Sequence, residues 1–302
     1  LTEKECIEEI IKLKKERNAI ILAHNYQRGE IQDIADYIGD SLGLSQKAAK
    51  VKEKIIVFCG VHFMAETASI LAPDKTVLIP DITAGCPMAD MISAKEMKDW
   101  KSRYPGKPVV CYINSTADVK AECDFCCTSS NAIRVVEFIN SNEILFAPDR
   151  YLGSYIASQI NNKKLILWDG YCYVHRNILP RHILEKKQKY PEAEVWAHPE
   201  CRGEVLELAD KILSTGGMVR QARETDKKEI IIATEAGIIY RLKKENPNKN
   251  FYPAYEYALC ANMKKITLKK VLQSLQEMKF VVKVPDEIAK KAKNAIDRMI
   301  KI

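Results

Sequence analysis

No apolar stretch among the 302 residues reaches the roughly 20 consecutive positions that a membrane-spanning helix requires. The opening residues, Leu1-Thr2-Glu3-Lys4-Glu5, are too polar for the apolar region of a secretory signal. A cytoplasmic protein with no membrane partner is therefore expected. A stripe of one charge sign is missing as well. The 47 Lys and Arg residues interleave with 40 Asp and Glu to leave a net charge of +7, and no nucleic-acid partner is expected. Pairs such as Lys264-Lys265 and Lys269-Lys270 read as a solvated helix face. The mild positive field still helps to collect anionic metabolites. Ten cysteines in an intracellular chain argue against a disulfide framework and for metal or redox chemistry. The remaining composition, 47% hydrophobic and 29% charged, is that of a globular protein long enough for a large core and two or three domains.

What the chain does have is a threefold internal repeat with a period of roughly 87 residues. Each unit opens on a short apolar run: Ile20-Ile21-Leu22-Ala23, Val109-Val110-Cys111-Tyr112, then Val195-Trp196-Ala197. Polar residues follow at once, namely His24-Asn25-Tyr26, Asn114-Ser115 and His198-Pro199-Glu200. Further on, Ala35-Asp36-Tyr37-Ile38-Gly39-Asp40-Ser41 aligns with Cys123-Asp124-Phe125-Cys126-Cys127-Thr128-Ser129 and with Ala209-Asp210-Lys211-Ile212-Leu213-Ser214-Thr215. A second apolar run comes next (Ile55–Phe58, Ile144–Phe146, Ile230–Ile232). A last one (Val77–Ile79, Leu165–Leu167, Phe251-Tyr252) precedes a cysteine.

Short β-rich runs alternating with helix-length amphipathic stretches predict parallel sheets covered by helices. The expected class is α/β. Three three-layer αβα domains with parallel sheets surround a central cavity and are related by an approximate threefold axis. Their expected extents are 1–85 with 261–302, 86–171, and 172–260. A helix around Ile7, Ile10, Ile11 and Leu13 precedes the first unit, and Pro285-Asp286-Glu287 starts the last helix. Ligands of parallel α/β sheets sit outside the carboxyl ends of the strands, so three such ends facing one axis create one site.

Cys86, Cys172 and Cys260 occupy the same place in successive units. Thiolates in threefold array select zinc, copper(I) or an iron–sulfur cluster. A closed zinc site needs a fourth ligand, and most clusters use four cysteines. Three ligands on a four-iron cube leave one iron open to act as a Lewis acid.

The ordered motifs Ala23-His24-Asn25-Tyr26-Gln27, Gly39-Asp40-Ser41, Gly60-Val61-His62-Phe63-Met64-Ala65-Glu66-Thr67-Ala68 and Cys86-Pro87-Met88-Ala89 resemble the quinolinate synthase family. So do Tyr112-Ile113-Asn114-Ser115-Thr116, Thr128-Ser129-Ser130-Asn131, Cys172-Tyr173-Val174-His175, Ala197-His198-Pro199-Glu200-Cys201, Ser214-Thr215-Gly216 and Cys260-Ala261-Asn262-Met263-Lys264. The resemblance spans nearly the whole chain. It implies condensation of iminoaspartate with dihydroxyacetone phosphate to quinolinate, phosphate and water, in NAD biosynthesis. It also implies a [4Fe–4S] cluster on Cys86, Cys172 and Cys260 with one open iron, and an aspartate oxidase or dehydrogenase as the source of iminoaspartate.

Both substrates are anionic. Ser41, Ser129 and Thr215 sit where a strand and turn feed a helix, a natural anion site, unless they are simple helix caps. Tyr26, Tyr112, Asn114 and Asn131 are candidate orienting groups. His24, His175 and His198 suit acid–base work near neutral pH, with Glu200 a further base. The resemblance supports Glu200, His198 and Tyr112 as the proton-transfer set, and places His24, Tyr26, Ser41, Tyr112, Asn114, Ser129, His198, Glu200 and Thr215 on substrate. His62 and His182 are expected to be structural, and Cys123, Cys126 and Cys127 are expected to be packing residues despite their local CxxC spacing. Cys172-x2-His175 resembles a zinc pair, but the family places only the cysteine on the metal. Other readings are a different three-cysteine hydro-lyase, a non-catalytic iron–sulfur carrier or sensor, and a structural zinc module.

Overall fold

The structure is a computed structural model that describes residues 1–302. Its first sheet contains β1 (Ala19–His24), β2 (Tyr37–Gly39), β3 (Ile55–Cys59) and β4 (Thr76–Leu78) in the order β2-β1-β3-β4. The second contains β5 (Val109–Tyr112), β6 (Phe125–Cys127), β7 (Glu143–Ala147) and β8 (Lys164–Leu167) in the order β6-β5-β7-β8. The third contains β9 (Glu194–Ala197), β10 (Lys211–Ile212), β11 (Glu229–Ala233) and β12 (Asn250–Pro253) in the order β10-β9-β11-β12. Every ladder is parallel, and helices link consecutive strands. This is the α/β class expected from the alternating runs. The strand order reverses beside β1, β5 and β9, so the crevice for a ligand lies at their carboxyl ends.

The strands form because their β-branched and aliphatic residues bury both faces at once. In the third sheet, Val195, Ala197, Ile231 and Ala233 feed a core on one face, and Trp196, Ile230 and Ile232 feed a separate core on the other. In the first two units the apolar side chains instead join one continuous core with the C-terminal helices. Helix Leu268–Glu277 packs on helix Glu3–Glu16 and β3. Helix Asp286–Lys301 lies over β6 and over helices Ala117–Lys120 and His62–Leu71, spanning the first and second units. Arg298 donates to the Asp124 carbonyl at 2.7 Å, and Asn131 to the Met299 carbonyl at 2.9 Å.

An aspartate closes the same loop in all three units. Asp36, Asp124 and Asp210 accept the backbone N–H of Ile21, Val109 and Val195 at 2.8, 2.8 and 2.7 Å. Their own N–H groups return to the carbonyls of the same three residues. These latches set the register of the repeat one residue away from the alignment of the opening runs: Ile21 matches Val109 and Val195. His24, Tyr112 and His198 therefore become equivalent, as do Tyr26, Asn114 and Glu200. The strands β2, β6 and β10, two or three residues long, have no apolar alternation, and only the motif alignment around each aspartate marked them.

Replacing Asp210 by Ala leaves the buried Val195 N–H without a partner and is expected to cost about 1–3 kcal/mol of stability. Asp210→Asn, which keeps an acceptor oxygen, is expected to recover much of that. Urea denaturation of the two variants against the parent checks both outcomes.

Candidate active site

Four residues from each unit converge on one cavity of about 730 Å³. The carboxyl ends of β1, β5 and β9 supply His24, Tyr112 and His198. Two residues further along come Tyr26, Asn114 and Glu200. The turns after β2, β6 and β10 supply Ser41, Ser129 and Thr215, and the segments after β4, β8 and β12 supply Cys86, Cys172 and Cys260. His175 joins them from helix Tyr173–Arg176. Of the residues expected at the site on sequence grounds, all but Asn131 line this cavity.

The three hydroxyls are not the helix caps. Asp40 caps helix Ser41–Ala48 by accepting from Gly43, and Ser214 caps helix Thr215–Glu224 by accepting from Gly217. In the second unit, Thr128 accepts the N–H of Ser130 while its own N–H goes to Asn131. In the first and third units the cap falls one residue before the hydroxyl, and in the second the cap position is Asn131, two residues after Ser129. Ser41, Ser129 and Thr215 line the cavity. Asn131 is fully engaged with Thr128 and Met299 and leaves the orienting set. Asn114 remains in it: its side-chain oxygen is buried, lines the cavity and has no protein partner.

The acid–base groups form one buried network. Tyr112 donates its phenol to Glu200 Oε1 in a short hydrogen bond. His175 Nδ1 lies 2.7 Å from Glu200 Oε2, a close polar contact that is out of line for a hydrogen bond. Its Nε2 is 2.8 Å from Thr234 Oγ1, which also holds the Tyr26 hydroxyl at 2.5 Å. Burial pushes the Glu200 carboxyl up, yet His175 and His198 beside it and the Tyr112 hydrogen bond together pull it below its ordinary value. Burial also pushes the Tyr112 and Tyr26 phenols well up, Glu200 adding to it. The imidazoles of His24 and His198 are depressed by burial to about 4 and about 3. Their tautomer follows from the backbone: His24 Nδ1 accepts from the Tyr26 N–H and His198 Nδ1 from the Glu200 N–H. Each neutral ring therefore carries its proton on Nε2, and that of His198 is 3.2 Å from Ser129 Oγ.

The cysteines share a local design. Each opens a helical turn, and the carbonyls of Cys86, Cys172 and Cys260 accept the N–H groups of Asp90, Arg176 and Lys264. Their sulfurs take hydrogen bonds from backbone N–H groups two or three residues on, which favour an anion. Burial nevertheless raises all three thiols, Cys86 to about 12, so a bound cation is needed to ionise them. The one trio of ligand atoms within 4.8 Å of one another is Cys172, His175 and Glu200, whose imidazole and carboxylate already face each other at 2.7 Å. At least one pair of the three cysteine sulfurs is thus more than 4.8 Å apart, beyond the spacing of about 3.8 Å that Zn–S bonds of about 2.3 Å set in a tetrahedral site. Three soft donors at wide spacing fit a larger thiophilic group.

Several site residues carried no sequence signal of their own. Asp149 and Glu235 stand two residues past β7 and β11, where they accept the N–H of Cys172 at 3.1 Å and of Cys260 at 3.0 Å. The repeat register locates them once it is fixed by the latches. Lys264, expected on a solvated face, instead turns inward to pair with fully buried Glu235 at 2.9 Å, because an unpaired buried carboxylate is costly. His182 is structural as expected, accepting the Leu179 N–H and stacking on Tyr255. Cys126 and Cys127 are fully buried in β6, as packing residues should be.

The depressed imidazoles set a pH dependence. His24 and His198 bind protons in the unfolded chain near pH 6.5 but not in the folded one until about 4 and about 3. Stability of the metal-free protein is therefore expected to fall as pH drops from about 6.5 toward 4. Urea denaturation across that range is expected to show a shallower fall in His24→Gln and His198→Gln.

Comparison with known proteins agrees with this geometry. A family model described as Quinolinate synthetase A protein matches residues 8–301. A quinolinate synthase of Dehalococcoides mccartyi is 59% identical over 97% of each chain. One from Thermodesulfovibrio yellowstonii is 54% identical over 97% of each chain. Quinolinate synthase 2 of Methanosarcina acetivorans is 52% identical over 98% of this chain and 95% of its own. By a match that runs almost from end to end, the chain belongs to the quinolinate synthase family of NAD-biosynthetic enzymes.

Proposed function

We propose that this chain condenses iminoaspartate with dihydroxyacetone phosphate, releasing quinolinate, phosphate and water, with a [4Fe–4S] cluster held by Cys86, Cys172 and Cys260. The supporting observation is the convergence of three equivalent thiols, three equivalent hydroxyls and a buried acid–base network on one cavity. An electron carrier has no use for that network. An aspartate oxidase or dehydrogenase supplies the imine, and the chain acts in the cytoplasm; no helix is long and apolar enough to cross a membrane.

The cluster supplies one iron without a protein ligand, a Lewis acid for a substrate oxygen. The chain supplies the rest. Ser41, Ser129 and Thr215, with the free Asn114 oxygen, fix the anionic and polar ends of the substrates. Glu200, held ionised, is the group that takes a proton during isomerisation and enolisation. Tyr112, hydrogen-bonded to that carboxylate, and the Nε2–H groups of His24 and His198 are the donors that return protons to leaving oxygens. His175 orients Glu200 by its contact and is itself held by Thr234.

Anaerobic turnover of dihydroxyacetone phosphate with oxaloacetate and ammonia is expected to yield quinolinate. Ala at Cys86, Cys172 or Cys260 is expected to lose iron, sulfide and activity together, while Cys127→Ala keeps its iron. Glu200→Gln is expected to keep the cluster and lower kcat by about 10²–10⁴. Turnover in a cluster-free protein would refute the cofactor's role.

A further inference from the structure

A second cleft lies beside the cavity and shares its wall. It encloses about 850 Å³ and is lined by four arginines, Arg134, Arg220, Arg223 and Arg241. Asp40 and Ser130 line both spaces. Across this boundary the Ser130 hydroxyl donates to Asp40 Oδ2 at 2.6 Å, and Ser214 Oγ is 2.8 Å from Ser130 Oγ. Each unit contributes one member of this closure. Gly216 completes it, since a Cβ there would run into the Asp40 carboxylate. The closure is thus hydrogen-bonded side chains with a glycine, and these polar contacts can open without separating a core.

The cleft carries excess positive charge. Arg223 and Arg241 both pair with Glu245, at 2.6 Å each. Arg134 and Arg220, exposed at the rim, pair with no carboxylate. A hydrogen-bonded chain then runs inward. Arg241 donates to Asn25 Oδ1 at 2.7 Å, and Asn25 donates to Thr215 Oγ1 at 3.0 Å, one of the three cavity hydroxyls. A cleft lined by one charge sign concentrates counter-ions and speeds their capture, and guanidinium groups fit both carboxylate and phosphate oxygens.

We propose that this arginine-lined cleft is the entry port for small dianions, which it captures and passes between Asp40, Ser130 and Ser214 into the cavity. The proposal rests on the reading that the substrates are a phosphate ester and a dicarboxylate. Arg134 and Arg220 are the capturing residues, and Arg241 is a positioning residue through Asn25.

The test compares cluster-loaded parent with the double variant Arg134→Ala/Arg220→Ala at rising ionic strength. At low salt the variant is expected to lose about 5–20-fold in kcat/KM for dihydroxyacetone phosphate, with kcat within twofold. Its salt dependence is expected to flatten, so that the two proteins converge at high salt. Ala at Lys4 and Lys95, exposed on other helices, removes the same charge and is expected to leave the slope unchanged. An unchanged kcat/KM and slope, or a fall confined to kcat, overturns the port. A second arm follows line broadening of inorganic phosphate by phosphorus NMR, which the variant is expected to weaken. That arm needs no turnover. A parent that broadens phosphate but makes no quinolinate overturns the proposed function and leaves the port standing. Normal synthesis with no effect of the arginine pair does the reverse.

Discussion

Parallel strands end on one edge, and here three such edges meet. In each unit the first strand must stop at the same depth, because the residues just past it carry the chemistry. The aspartate latch does this by tying the start of the first strand to the loop that follows it, 15 residues on in every case. A slip of one residue would turn His24, Tyr112 and His198 away from the axis, since successive side chains on a strand point to opposite faces. The hydroxyl turns and the cysteine turns are built on the same sheets and inherit that alignment.

Equivalent positions do not carry equivalent chemistry. The strand-end position holds imidazole, phenol and imidazole, and the position two residues on holds phenol, amide and carboxylate. The units share backbone geometry while their side chains diverge, so one site gains an ionised carboxylate, neutral imidazole donors and an unpaired amide oxygen. Only the cysteines and the hydroxyl turns stay alike, and these make the two simplest demands, soft-metal ligation and anion binding. Burial drives the electrostatics throughout: it keeps two imidazoles neutral, raises two phenols, and leaves the thiols dependent on a cation.

Much of this was legible in the residues. The period of the repeat gave the three sheets, and the cysteine in each unit pointed to a three-ligand site. Two kinds of feature escaped. Strands of two or three residues, such as β10, are too short to show alternation. Buried partners such as Thr234, Glu235 and Lys264 are set by contacts across tens or hundreds of residues, and their types alone suggest surface positions.

By itself the sequence determined the fold class, the threefold plan and the residue types gathered at its centre, because hydrophobic periodicity and repeat spacing are local properties of the chain. The tertiary structure decided the register of the repeat, which residue of each turn caps its helix, the tautomer of two imidazoles, and which lysine turns inward. Each of these depends on hydrogen bonds or ion pairs set by the fold, often between residues far apart in the chain, and local pattern holds no record of such pairings.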